Sequence, residues 1–235
     1  MEGWDGTPAD AIRIQKGIRD QVHIEPLDQE IRTIAGADVS LNMFEKDIYA
    51  GIIVLSYPDL VPIEYSVIKS RTEFPYIPGL LSFREIPALL ECYKKLETKP
   101  DVVMVDGQGI AHPRHLGIAA HFGALIDAPT LGVAKSRLYG RYAIPQDVGE
   151  ATQIEDPQTG EQLGYAYKSK RNSNPLLISP GHKMSVDDAL KMAKTCLRKY
   201  RLPEPTRMAH NLVNTFRKGE SLEAFGKNYG RDASS

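Results

Sequence analysis

The chain has 235 residues, 42% hydrophobic and 25% charged, which is long enough for a well-buried core and ordinary for a soluble enzyme or binding module. Its 29 basic and 30 acidic side chains leave a net charge of −1. That balance excludes a constitutively basic nucleic-acid coat protein, so any polyanion contact must rely on local patches such as Lys69/Arg71, Lys135/Arg137/Arg141 and Lys168/Lys170/Arg171.

Thr7-Pro8 caps and starts a first predicted helix, running to about Val22 with Ile12, Ile14 and Ile18 as apolar members. Three strands are expected next, Ile31 to Leu41, Ile48 to Ser56 and Val61 to Ser70, joined by short turns at Asn42 to Asp47 and Tyr57 to Leu60. The third alternates cleanly, as an antiparallel strand with one wet face does. The second is apolar on both faces and therefore more central. A loop rich in Pro and Gly, Phe74 to Gly79, leads into a helix from roughly Ser82–Pro87 to Glu97. Strand 101–106, helix 115–126 and strand 130–134 follow at the spacing of parallel crossovers.

Residues 143–160 give no clear pattern, and 163–167 with 176–179 read as a hairpin. Ser185 and Asp188 form a capping pair for a helix to Tyr200, the Leu202-Pro203-Glu204-Pro205 break ends it, and a last helix reaches about Lys218. The order of three antiparallel strands, then helix, strand, helix, strand, predicts an α/β fold. It would be a ribonuclease H-like mixed sheet of five strands flanked by helices, with the first strand central and the fourth parallel beside it. One domain over 1–235 is expected, with its core at about 31–208 and a polar tail over 227–235 free to fray.

Asp38 interrupts the apolar pattern of the first strand, and Asp106 ends the fourth. On parallel neighbouring strands the two would stand about 4.8 Å apart. Two ionised carboxylates that close repel unless a cation holds them, and oxygen ligands suit Mg²⁺ or Mn²⁺ better than zinc. Taken singly, each has a plainer explanation. Asp38 could cap a turn or pair with a base, and Asp106-Gly107 could shape a turn. Glu85 could complete a capping box with Ser82, although Pro87 argues for a later helix start. His112 and His182 could be ordinary polar loop residues.

Together with these carboxylates, several segments carry a resemblance: Ala35-Gly36-Ala37-Asp38, Phe74-Pro75-Tyr76-Ile77-Pro78-Gly79, Leu81-Ser82-Phe83-Arg84-Glu85, Val105-Asp106-Gly107, His112-Pro113-Arg114, Gly132-Val133-Ala134-Lys135-Ser136, Gly181-His182 and Tyr200 to Arg207. Over about residues 31 to 208 the chain resembles the endonuclease V family of deoxyinosine-specific nucleases. The resemblance implies Mg²⁺-dependent nicking of DNA, with Mn²⁺ as a substitute, at the second phosphodiester bond 3′ to deoxyinosine and without removal of the base. Other deaminated or mismatched bases, and inosine in RNA, are further expected substrates.

In the family's pattern Asp38, Asp106 and Glu85 match the metal-binding and catalytic carboxylates, and Lys135 and His182 match further catalytic positions. His112 and Asp187 are weaker matches. Tyr76, presented by Pro75, Ile77, Pro78 and Gly79, matches the wedge that enters the duplex at the lesion. Gln108 departs from the pattern, since many bacterial relatives carry His there. The competing readings are a ribonuclease H-like nuclease without base preference and a non-catalytic inosine binder. A cytoplasmic monomer without a membrane partner is expected, because no apolar run approaches the roughly 18 residues of a membrane span and no leader is visible. Cys92 and Cys196, without a CxxC pair, read as buried thiols.

Overall fold

The computed structural model describes residues 7–41, 46–75, 77 and 79–228. The first helix, α1 (Pro8–Arg19), is capped by the Thr7 hydroxyl, which accepts from the Asp10 N–H. Strands β1 (Thr33–Leu41), β2 (Asp47–Ser56) and β3 (Pro62–Arg71) form the expected antiparallel meander. After α2 (Ser82–Lys95), β4 (Val102–Val105) lies parallel to β1. It is followed by α3 (Ile118–Ile126) and then β5 (Thr130–Ala134), parallel to β4.

The sheet is larger than the expected five strands. Strands β6 (Ala151–Glu155), β7 (Gln162–Tyr167) and β8 (Leu176–His182) extend it antiparallel from β5, so the unpatterned segment and the predicted hairpin belong to the same sheet. A two-residue strand, β9 (Lys227–Asn228), pairs with β3, so the start of the tail expected to fray joins the sheet edge. The rest of that tail, 229–235, lies outside the described residues. The strand order is β6-β7-β8-β5-β4-β1-β2-β3-β9.

Adjacent residues along the central strands feed two different cores, as the period of two requires. Ile34, Ile53, Met104, Leu131 and Val133 face one side. There they meet α4 (Val186–Thr195) and α5 (Glu204–Arg217) through Ala189, Ala193, Ala209 and Leu212. Ala35, Val54, Val103 and Val105 face the other side, against Ile86, Leu89 and Phe122 of α2 and α3. A smaller cluster joins Ala11 of α1 to Phe74, Leu80 and Phe83, which flank the Pro-Gly loop.

Helix α2 begins at the early end of its expected range, and helix α4 ends earlier than expected. Helix α2 already starts at Ser82 and carries Pro87 inside it. No Ser82–Glu85 capping box forms, because the Ser82 hydroxyl instead meets His121 Nδ1 at 3.0 Å. Helix α4 ends at Thr195, and the Pro-rich segment starts α5 rather than merely ending its predecessor, with proline in its first turn where an N–H is not needed. Gly36 makes the approach of α5 possible: a Cβ there would stand 1.8 Å from the Pro205 carbonyl oxygen.

Candidate active site

Each central parallel strand ends its α5-facing row in a polar residue. The rows are Ile34, Gly36, Asp38 on β1; Val102, Met104, Asp106 at the end of β4; and Leu131, Val133, Lys135 at the end of β5. Register holds the first two level. Ala37 pairs with Val105, and the Asp106 N–H donates to the Ala37 carbonyl at 3.0 Å. The carboxyl ends of parallel strands are where open α/β sheets place their chemistry.

Above this row lies His210 of α5, whose Nδ1 is 2.9 Å from Asp38 Oδ2 and whose Nε2 is 3.0 Å from Asn214 Nδ2. Among the described residues, Asp38, Asp106 and His210 form the one group whose ligand atoms all lie within 4.8 Å of one another. Two carboxylate oxygens and an imidazole nitrogen suit a hard divalent cation, since Mn²⁺ tolerates nitrogen and Mg²⁺ prefers oxygen with retained water. Glu85, expected among the metal ligands, stands outside this trio. It lies near enough for its charge to be felt by both aspartates.

The electrostatics are those of crowded carboxylates. Burial, then the Asp38 carboxylate, pushes the Glu85 carboxyl up to about 8. Burial and Asp38 also raise Asp106, opposed by the Lys135 ammonium, which donates to Asp106 Oδ2. The bond to Asp38 raises the imidazole of His210.

Beside Asp106 and Glu85 opens a cavity of about 300 Å³. Its apolar lining comes from Leu81, Leu116, Ile118 and Leu138, and its polar lining includes Ser82, Gln108 and His112. Burial drives the His112 imidazole down to about 4, so it is neutral, with Nδ1 accepting from the Arg114 N–H. Gln108 is 8% exposed; its Nε2 donates to the Ser136 carbonyl at 2.9 Å, and its Oε1 meets no partner among the described residues.

His182 does not join this site. Strand β8 runs antiparallel to β5, so its carboxyl end lies at the amino end of β5, opposite Thr130 and at the other end of the strands from Asp106. The ring is 1% exposed, with Nε2 3.2 Å from Asp127 and Nδ1 accepting from the His23 N–H. Asp187 is also elsewhere, in the first turn of α4, accepting from the Tyr165 hydroxyl. Of the wedge segment, Pro75 is exposed, Ile77 packs near Phe74 and Phe83, and Gly79 lines the cavity; Tyr76 and Pro78 lie outside the described residues.

The residue that sequence reasoning missed is His210. Its signal was present in Pro205-Thr206-Arg207-Met208-Ala209-His210, a polar residue at the helix face that Ala209 and Leu212 seat on the sheet. The segments that carry the resemblance end at Arg207, short of His210.

A family model described as Endonuclease V matches residues 16–211, a span that includes His210. The endonuclease V of Nostoc punctiforme is 46% identical over 214 residues, covering 90% of this chain and 96% of the relative. Among solved structures, the endonuclease V of Streptomyces avermitilis superposes with a TM-score of 0.85 at 31% identity, covering 93% of this chain and 96% of its own. The endonuclease V of Ciona intestinalis superposes at 0.80 with 28% identity, covering 90% and 98%. It was solved in complex with a 24mer DNA containing an inosine followed by a ribo-adenosine.

Proposed function

The chain belongs to the endonuclease V family and is a nuclease, a hydrolase of phosphodiester bonds, and from that premise we propose that it nicks DNA at deoxyinosine with the help of a divalent cation, Mg²⁺ or Mn²⁺. The observation that carries this reading is the trio Asp38, Asp106 and His210 placed beside a base-sized cavity. The cut falls at the second phosphodiester bond on the 3′ side and leaves the base attached. Inosine in RNA and other deaminated or mismatched bases are secondary substrates, and the protein acts as a cytoplasmic monomer. The inosine-bearing DNA held by the Ciona relative supports the choice of lesion.

Asp38, Asp106 and His210 would hold the cation, which when bound supplies charge to polarise the scissile phosphate and to acidify the attacking water. Lys135, on the open side of Asp106, neutralises charge on the phosphate. Glu85 is held near neutral titration by burial and by Asp38, so it is placed to take up and return a proton at the cavity edge. The extruded base enters the cavity between Leu81, Ile118 and Leu138, where apolar walls replace its lost stacking. Its volume, about 300 Å³, lies at the small end of ligand clefts. Tyr76 fills the gap left in the duplex.

An end-labelled cleavage assay tests the whole reading, using strands that carry inosine or adenine, in DNA and in RNA, with Mg²⁺ or with chelator. A metal-dependent product that ends one nucleotide 3′ of inosine, and none from the adenine strand, is expected. Equal cutting of inosine and adenine duplexes would favour a nuclease without base preference. Tight inosine binding without product in either metal would favour a non-catalytic binder.

A further inference from the structure

Gln15 of α1 is fully buried, one helical turn after the equally buried Ala11, and it lies one residue before the span that the family model matches. A buried primary amide must satisfy both its ends. Here Nε2 donates to the Gly79 carbonyl at 3.1 Å and faces the Leu116 carbonyl at 3.4 Å, while Oε1 accepts from Arg114 Nε. Arg114 returns to the same place, since its Nη2 donates to the Gly79 carbonyl at 2.6 Å.

Gly79 and Leu116 both line the cavity beside Asp106, so one side chain ties two of its walls together. The apolar face of α1 reinforces the tie. Ala11 packs with Phe74, Leu80 and Phe83 around the Pro-Gly loop, and Ile18 packs on the cluster of Ile110, Ala111 and Leu116. Gly79 sits at φ +79°, and a Cβ there would stand 2.6 Å from the Arg114 guanidinium, so the loop end is held where only glycine fits.

We propose that Gln15, acting with Arg114, is a positioning residue that fixes the mouth of the cavity and thereby sets how strongly the protein prefers inosine to adenine. The inference rests on the reading of that cavity as the pocket for the extruded base. Neither side chain touches the reacting atoms, so the effect falls on recognition of the lesion and not on the chemical step. Arg114 accordingly serves the loop and not a backbone phosphate.

The test compares the native chain with Gln15→Leu, which keeps the size and drops every bond, and Gln15→Glu, which keeps the acceptor for Arg114 and loses the donors. Each is assayed with Mg²⁺ on duplexes that differ only in inosine or adenine, reading KM, the saturating single-turnover rate and the thermal midpoint. 2-Aminopurine beside the inosine, in chelator, reports base extrusion without cleavage. Gln15→Leu is expected to raise KM for the inosine duplex about tenfold, to weaken the aminopurine signal and to leave the saturating rate within about twofold, with Gln15→Glu intermediate.

Native KM and native inosine preference in a folded Gln15→Leu protein would overturn the proposal. So would a fall in saturating rate that tracks the thermal midpoint, the mark of a merely structural role. Should Gln15→Leu not fold, unchanged KM in Gln15→Glu overturns it equally. Equal cutting of both duplexes by the native chain is a separate failure, of the pocket reading itself, and removes the proposal with it.

Discussion

His210 Nδ1 lies 2.9 Å from Asp38 Oδ2, joining a helix near one end of the chain to a strand near the other across 172 positions. The contact gives the paired aspartates a nitrogen partner and fixes the ring, whose other nitrogen is engaged by Asn214. His210→Ala is expected to weaken cation binding about 10–100-fold, the range seen when a group that orients or supplies a ligand is lost. Calorimetric titration with Mn²⁺ checks this, and native affinity in the variant would remove His210 from the ligand set.

Lys135 neutralises Asp106 and faces the open site. Lys135→Ala should lower the single-turnover cleavage rate about 10²–10³-fold, the scale for loss of a positioned charge at a reacting phosphate, with inosine-DNA binding changed only a few-fold. A rate within about threefold of native would assign Lys135 to the surface.

His182 sits at the end of the strands away from Asp106, bonded to the His23 N–H and to Asp127. Its replacement by Ala should cost on the order of 1–3 kcal/mol of stability by leaving a buried donor unpaired. The saturating cleavage rate at a temperature where the variant is folded should stay native. A large fall in that rate without loss of stability would return His182 to the reaction.

His112 and His121 are 4% and 2% exposed, and burial lowers both to about 4. The unfolded chain takes up these protons near pH 6.5 and the folded chain only near 4, so the unfolded state binds more protons in between. Stability is therefore complete above pH 6.5 and falls as pH drops toward 4, by on the order of 3 kcal/mol per histidine. In urea unfolding between pH 4 and 8, the deficit of His121→Asn relative to native should shrink toward acid. A deficit independent of pH would show that His121 does not titrate this way.

Gly36→Ala places a methyl group 1.8 Å from the Pro205 carbonyl oxygen, and backbone on both sides leaves nothing flexible to yield. Displacing α5 should cost about 1–3 kcal/mol or more and should weaken cation binding, because His210 rides on that helix. Native cation affinity in a folded Gly36→Ala protein would uncouple the two.

The meander, the two parallel crossovers and the level placement of Asp38 and Asp106 were legible because strand periodicity and short turns are local signals. The edge strands were harder. Ala151 to Glu155 is half exposed, with little apolar pattern to announce it, and Lys227–Asn228 pairs only because β3 offers a free edge. His182 entered through the resemblance, and a Gly-His pair says nothing about strand direction, whereas β8 runs antiparallel to its neighbour and carries the ring away from Asp106. His210 stands on a legible helix face, but its pairing with Asp38 is set by helix docking past Gly36, which no local pattern encodes.

The docking of α5 also has a consequence for synthesis of the chain. The paired carboxylates leave the ribosome long before the imidazole that completes their trio, with the whole of β5 to α4 made in between. A nascent or prematurely terminated chain ending before Glu204 carries the acidic pair without its nitrogen partner. Cutting activity would then be withheld until the last long helix has been made and seated.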